Sequence, residues 1–245
     1  MAKPERIQKI LANWGIASRR TIERLIAEGK VSVNGEVLTG QGMTIDPDGN
    51  PVIKISGKQV KKPKNTKLQI FAFNKPMNVV STLKDDQGRK SIKDFLPPHQ
   101  RLYPVGRLDM NSTGLLLITN NGELTNRLLH PSFKVAKEYV VKIVGASLTR
   151  EEKFQFSTGI ELEDGKTAPC KLVQHKDPQT FTVVLKEGRK RQIRRMFDKL
   201  DRKVIQLNRV TFGPIKLGNL KAGQMRRLTT AEQKALLKAA GLPVT

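Results

Sequence analysis

Residues 106–117 read GRLDMNSTGLLL, a single acid, Asp109, set between Gly106 and Gly114 and followed at once by an apolar run over 115–118. The run reads as a buried strand. Glycines on either side permit the tight or left-handed turns that present a side chain into a cleft. Asp109 is therefore expected on a rigid support at the end of a core strand. The bland alternative is that it only closes an Asx turn with Asn111 or Ser112.

The chain around this acid is strongly basic, with 45 Lys and Arg against 22 Asp and Glu and a net charge of +23. Such a field suits a polyanion, because neutralised phosphates release counterions and binding becomes steeply salt-dependent. Nucleic acid is the leading partner. A membrane surface is the rival, but no apolar run approaches the ~18 residues of a spanning helix and no charged-then-apolar leader opens the chain. A cytoplasmic protein with no membrane partner is expected.

Cys170 is the only cysteine, and His99, His130 and His175 stand far apart in sequence, so neither a disulfide nor a metal site is expected. Gly165-Lys166-Thr167 resembles the end of a phosphate-binding loop, but Gly159 lies one residue too far upstream for that motif. The reading is an apoprotein, without metal or cofactor.

A length of 245 residues with 38% hydrophobic side chains allows about two ordinary domains. Over 5–14, Ile7, Ile10, Leu11 and Trp14 recur at helical spacing, and Ser18 is placed to cap a second helix. That helix turns Ile22, Leu25 and Ile26 inward and Arg19, Arg20 and Arg24 outward. Residues 31–37 alternate around Asn34-Gly35, a hairpin signal. Five of the ten residues over 58–67 are lysine, beside Pro63, too polar a segment for a packed core. A linker over 61–67 then divides a domain over 1–60 from one over 68–245.

In the second domain the patterns predict strands over 69–73, 115–118, 138–143 and 180–185, and helices over 123–129 and from about 191. Thr230-Ala231-Glu232-Gln233 announces a final helix as a capping box. Strands and helices alternate without regular βαβ repetition, so the fold class is α+β with a mixed, mainly antiparallel sheet.

A second basic motif, EGRKRQIRRM, occupies 187–196. Ile193, Met196, Phe197 and Leu200 would form one buried helical stripe. At 100° per residue Arg194 falls beside that stripe, and Arg191 and Arg195 point away from it. Arg194 could then hold a carboxylate such as Asp109 ionised and oriented, with the others meeting phosphates. Tyr139, at the start of a strand, offers either a ring to stack on an extruded base or a core ring with its hydroxyl at the rim.

The N-terminal run RIQKILANWGIASRRTIERLIAEGKVSVNG resembles the small RNA-binding domain first recognised in ribosomal small-subunit protein four. That resemblance implies RNA contacts from Arg19, Arg20, Arg24 and Lys30. NKPMNVVST at 74–82, GRLDMNSTGLLLITNNGEL at 106–124, KEY at 137–139 and EGRKRQIRRM at 187–196 occur in the order of a second family. Together they resemble an RNA pseudouridine synthase of the RsuA/RluB type, over nearly the whole chain.

This second resemblance implies that Asp109 is the catalytic aspartate, Tyr139 packs against the target uracil, and Arg194 is the ion-pair partner of the aspartate. Ile193 adds apolar packing, and Arg107, Arg191, Arg195 and Lys75 are expected to bind substrate. The usual glycine of the lysine-proline motif is Asn78 here, a residue that tolerates positive φ better than most. The implied reaction is isomerisation of uridine in ribosomal RNA, in or near a hairpin, with large-subunit RNA favoured over small-subunit RNA. A monomer acting on free RNA or on partly assembled subunits is the expected form. A non-catalytic RNA-binding assembly factor is the competing class, and Asp109→Asn separates the two.

Overall fold

The computed structural model describes residues 4–40, 42–63, 67–98 and 100–244. His99 and residues 64–66 of the lysine-rich segment lie outside them. The chain forms two compact units, Met1–Leu68 and Gln69–Thr245.

In the first unit, helices α1 (Ile7–Asn13) and α2 (Arg19–Ala27) close over Ile7, Leu11, Ile22, Ile26, Val31 and Ile53. The Ser18 hydroxyl accepts from the Thr21 N–H at 3.1 Å, the expected cap. Asn34 and Gly35 have φ of 51° and 95°, as a tight hairpin turn requires. The hairpin joins strands Ile53–Ile55 and Lys58–Val60 in one four-stranded sheet. Lys58 therefore sits in a strand that pairs with Ile53–Ile55, and Val60 packs partly on the core, so the lysine-rich run does not begin as linker. The first helix also starts later than its periodicity suggests, because Glu5 and Arg6 pair with Ile45 and Thr44.

The second unit is built on a nine-stranded sheet. Its long path uses β1 (Ile70–Lys75), β2 (Thr113–Thr119), β3 (Lys137–Val144), β4 (Lys171–Gln174), β5 (Thr180–Leu185), β6 (Lys203–Phe212) and β7 (Met225–Arg227). Their spatial order is β4-β5-β3-β6-β2-β1-β7, and the short strands Tyr103–Pro104 and Ile215–Lys216 pair with β2 and β6. Neighbours are antiparallel except β6 and β2, which run parallel with Asn208 opposite Thr113 and Arg209 opposite Gly114. The helices are α3 (Gly122–Leu129), α4 (Arg150–Thr158), α5 (Gln192–Asp198) and α6 (Thr230–Ala239).

One cluster gathers Val141, Ile143, Phe156, Phe181 and Val183 with Ile193, Met196, Phe197 and Leu200, the apolar stripe of the basic motif. A second gathers Phe73, Val79, Ile92, Leu102, Leu108, Leu116 and Ile118. Tyr139 packs against both, at their seam.

β6 lies in the middle of the sheet and carries no clean alternation. Its register against β3 shifts twice, between Glu138 and Tyr139 and between Lys142 and Ile143. Each shift inserts an extra residue and flips the inward face, so the period of two is broken. The final helix is capped one residue earlier than expected, by Thr229 with Glu232 as the reciprocal partner. Glu232 also takes a bidentate pair from Arg226 at 2.7 and 2.8 Å, which with the cap holds its carboxyl down at about 2.

A carboxylate held lower in the folded than in the unfolded chain stabilises above the unfolded value of 4.5 and loses that contribution as pH falls toward about 2. Glu232→Gln should therefore flatten the fall in melting temperature between these pH values. An unchanged profile would show that the pair does not contribute. Among the described residues no helix is long and apolar enough to cross a membrane.

Candidate active site

The loop before β2 turns at Gly106, with φ of +75°, and enters the strand through Gly114, its second residue, with φ of +99°. The Ser112 N–H donates to the Asp109 main-chain carbonyl at 3.0 Å, so the turn is closed by backbone and not by the carboxylate. Three peptide groups around Asp109 are then tied down from outside the loop. The Ser81 hydroxyl donates to the Leu108 carbonyl at 2.7 Å and accepts from the Leu108 N–H at 3.1 Å. The Met110 carbonyl accepts from the Asn78 N–H at 2.9 Å and from Lys75 at 3.4 Å. Asn78 itself has φ of +62°, the conformation its substitution for glycine has to accept.

Arg194 completes the frame. Its guanidinium donates to the carbonyls of Asn111 and Val204, both at 2.8 Å. The expected ion pair is not formed: among the described residues Asp109 has no cation within 4.0 Å. Burial and the charge of Arg191 lower the Arg194 pKa, and the Asp109 charge acts in the opposite direction. The arginine thus acts on the aspartate by holding its loop and by longer-range attraction.

Asp109 faces a cleft of about 340 Å³, within the range of small-molecule sites. Arg107, Tyr139, Arg191 and Ile193 line it too, so five of the expected site residues meet. Arg107 and Arg191 are exposed at its margin, and Ile193 contributes apolar floor. Arg191 reaches the cleft because it precedes the helix, in a left-handed conformation with φ of 51°, and does not follow the 100° helical progression.

Two expected substrate contacts are placed elsewhere. Arg195 forms an ion pair with Asp164 at 2.8 Å outside the cleft lining. Lys75 is fully buried and cannot touch a ligand in this arrangement. Its ammonium donates to the carbonyls of Pro76 and Val79 at 2.9 and 2.7 Å as well as to Met110. Burial pushes its pKa down to about 8 against the pull of Asp109.

Lys75→Met should relieve a buried charge while leaving carbonyls unpaired, effects of opposite sign on stability. The melting temperature should move little, and the single-turnover rate should fall about a hundredfold as the acid shifts. A full-rate variant would remove Lys75 from the positioning of Asp109.

Lys137 and Arg209 also line the cleft. Sequence patterns marked Lys137 only as part of the KEY run and missed Arg209, which lies on the unpredicted β6. The alternation from Lys137 to Tyr139 was the one available signal. In the first unit Arg19, Arg20, Arg24 and Lys30 are all exposed, and Arg24 and Lys30 share Glu28 at 3.7 and 2.7 Å. Among the described residues no group of three or more His, Cys, Asp or Glu is placed to hold a metal ion.

A family model described as RNA pseudouridylate synthase matches residues 69–199, and one described as S4 domain matches residues 5–49. The chain is 42% identical to ribosomal large subunit pseudouridine synthase B of Bacillus subtilis (strain 168), with 95% of each covered. It is 38% identical to the protein of the same name from Pseudomonas aeruginosa, covering 97% of this chain and 63% of that one. A solved structure titled as a pseudouridylate synthase superposes with a TM-score of 0.69 at 29% identity, over 94% of this chain and 99% of the other.

Proposed function

The chain belongs to the RNA pseudouridylate synthase family, and from that premise we propose that it isomerises a uridine of large-subunit ribosomal RNA with Asp109 as its catalytic group. The bond between the sugar C1′ and ring N1 breaks, the ring turns, and a bond forms between C1′ and C5. The C5 proton leaves and N1 gains one, so atoms and electrons balance without an oxidant, a reductant or a phosphate donor.

The observation that carries the reading is the Asp109 loop. Its peptide groups at Leu108, Met110 and Asn111 are all tied down, and the carboxylate is left out of the turn, facing a cleft with Tyr139. Preorganisation of this kind is what a nucleophile or base needs. Extruding the target uridine from its stack costs a few kcal/mol, which stacking on Tyr139 can offset. Arg107 and Arg191 at the margin would hold flanking phosphates, and Ile193 would support the ring from below. Arg194 and Lys75 would act through the loop, as positioning residues.

The first unit, with its exposed Arg19, Arg20, Arg24 and Lys30, would grip structured RNA beside the target. The names of the relatives favour large-subunit RNA over small-subunit RNA. The protein would work as a cytoplasmic monomer on free RNA or on partly assembled subunits. Single-site mapping of pseudouridine after incubation with unmodified transcripts of both ribosomal RNAs tests this. One new site in the large-subunit RNA is expected; a site in the small-subunit RNA alone would overturn the substrate, and no site on either RNA or on partial subunits would overturn the enzyme.

A further inference from the structure

At the floor of the cleft two cations are buried together. Arg209 and Lys137 are 2% and 6% exposed. The β3–β6 register sets Arg209 directly opposite Tyr139, and Lys137 lies two residues before Tyr139, on the same face of its strand. The Arg209 Nε donates to the Leu115 carbonyl at 2.7 Å, and its guanidinium lies 5.9 Å from the Tyr139 ring centroid and 5.1 Å from that of Phe212. Its Nη2 is buried without a hydrogen-bond partner. The Lys137 ammonium lies 5.3 Å from the Phe212 centroid and makes one long bond, 3.3 Å, to the Val135 carbonyl.

Among the described residues neither cation has a carboxylate within 4.0 Å. Burial, and then the neighbouring Arg209 charge, push Lys137 down to about 8. Two unpaired buried cations side by side oppose folding, and ring faces compensate only in part. Donors of this kind are expected where negative charge arrives during a reaction.

We propose that Lys137 and Arg209 stabilise the negative charge that develops on the carbonyl oxygens of the target uracil. This deepens the uridine-isomerising reading and rests on it. If Asp109 attacks C1′, or removes the proton from the neighbouring sugar carbon, the N1–C1′ electron pair stays on the ring and spreads onto O2 and O4. If Asp109 adds to C6 of the ring, the displaced electrons reach O4. Every route loads a ring carbonyl, so the role does not depend on which one the aspartate follows. A backbone phosphate fits less well, because these groups are nearly out of solvent at the floor while Arg107 and Arg191 stand exposed at the margin.

The test uses the full-length protein in excess over a transcript carrying the mapped uridine, with wild type, Lys137→Met and Arg209→Lys side by side. Each variant should lower the saturating single-turnover rate by about a hundredfold or more, as loss of one charge-stabilising donor does elsewhere, without weakening RNA binding. Lys137→Met should also melt no lower than wild type, since it removes an unpaired buried charge, a combination that a merely structural lysine would not show.

Weaker RNA binding with an unchanged saturating rate would instead assign the pair to a phosphate and overturn the proposal. Full-rate variants would also overturn it. A wild-type protein that modifies neither RNA overturns the parent reading and this one with it, an outcome distinct from full-rate variants.

Discussion

Asp109→Asn is expected to lower the single-turnover rate by about a thousandfold or more while leaving the fold and RNA affinity in place. The carboxylate closes no turn, and the loop is held through peptide groups that asparagine retains. The isosteric amide therefore fits, but it can serve neither as nucleophile nor as base, functions worth about 10² to 10⁴ in rate for a general base alone. RNA affinity rests on cations, and losing one negative charge beside Arg107 and Arg191 should hold or slightly raise it. Pseudouridine formation and RNA binding, measured on the same preparations beside a thermal melt, decide the matter. A variant that modified RNA at the wild-type rate would move the catalytic role away from Asp109.

Gly114→Ala, at the start of β2, is expected to cost more in stability than a methyl added at Gly106. A Cβ there would lie 2.2 Å from Asn208 Oδ1, 2.3 Å from the Arg209 carbonyl oxygen and 2.7 Å from the Arg209 nitrogen. The amide side chain can swing away, but the two backbone atoms belong to β6 at its parallel pairing with β2. Either the strands part or the residue gives up its φ of +99°. A cost above about 4 kcal/mol is expected, the range of exceptional substitutions, which lowers the melting temperature by roughly 8 °C or more. Gly106→Ala is the control: it meets the flexible end of Leu129 at 2.8 Å, and its φ of +75° should add about 1–2 kcal/mol. Equal melting shifts for the two variants would show that the β2–β6 junction yields. Arg209 shares that junction, so Gly114→Ala should disturb the floor of the cleft as well as its wall.

Patterns confined to a few neighbouring residues were legible directly. The Ser18 cap, the Asn34-Gly35 turn, the apolar face of α5 and the acid between two glycines each depend on local spacing, and each stands in the structure as read. The strand at Lys58–Val60 is not legible in the polar composition of its run, because an edge strand needs only its inward residues to be apolar, here Val60. Arg191 escaped the helical projection because one left-handed residue precedes the first turn.

The sequence by itself determined the two-unit basic chain, its α+β character and the presentation of Asp109 on a strand-supported loop, because helix caps, turns and strand periodicity are short-range properties. Only the tertiary structure decided the partners of that loop. Arg194 holds Asn111 across 83 positions of chain and Arg209 binds Leu115 across 94. Lys75 proves a buried strut, while the uncompensated pair of Lys137 and Arg209 is assembled only when β6 enters the sheet beside β3. Contacts at such separation follow from strand order and from two register shifts, and both are settled by burial over the whole sheet and not by any local run of residues.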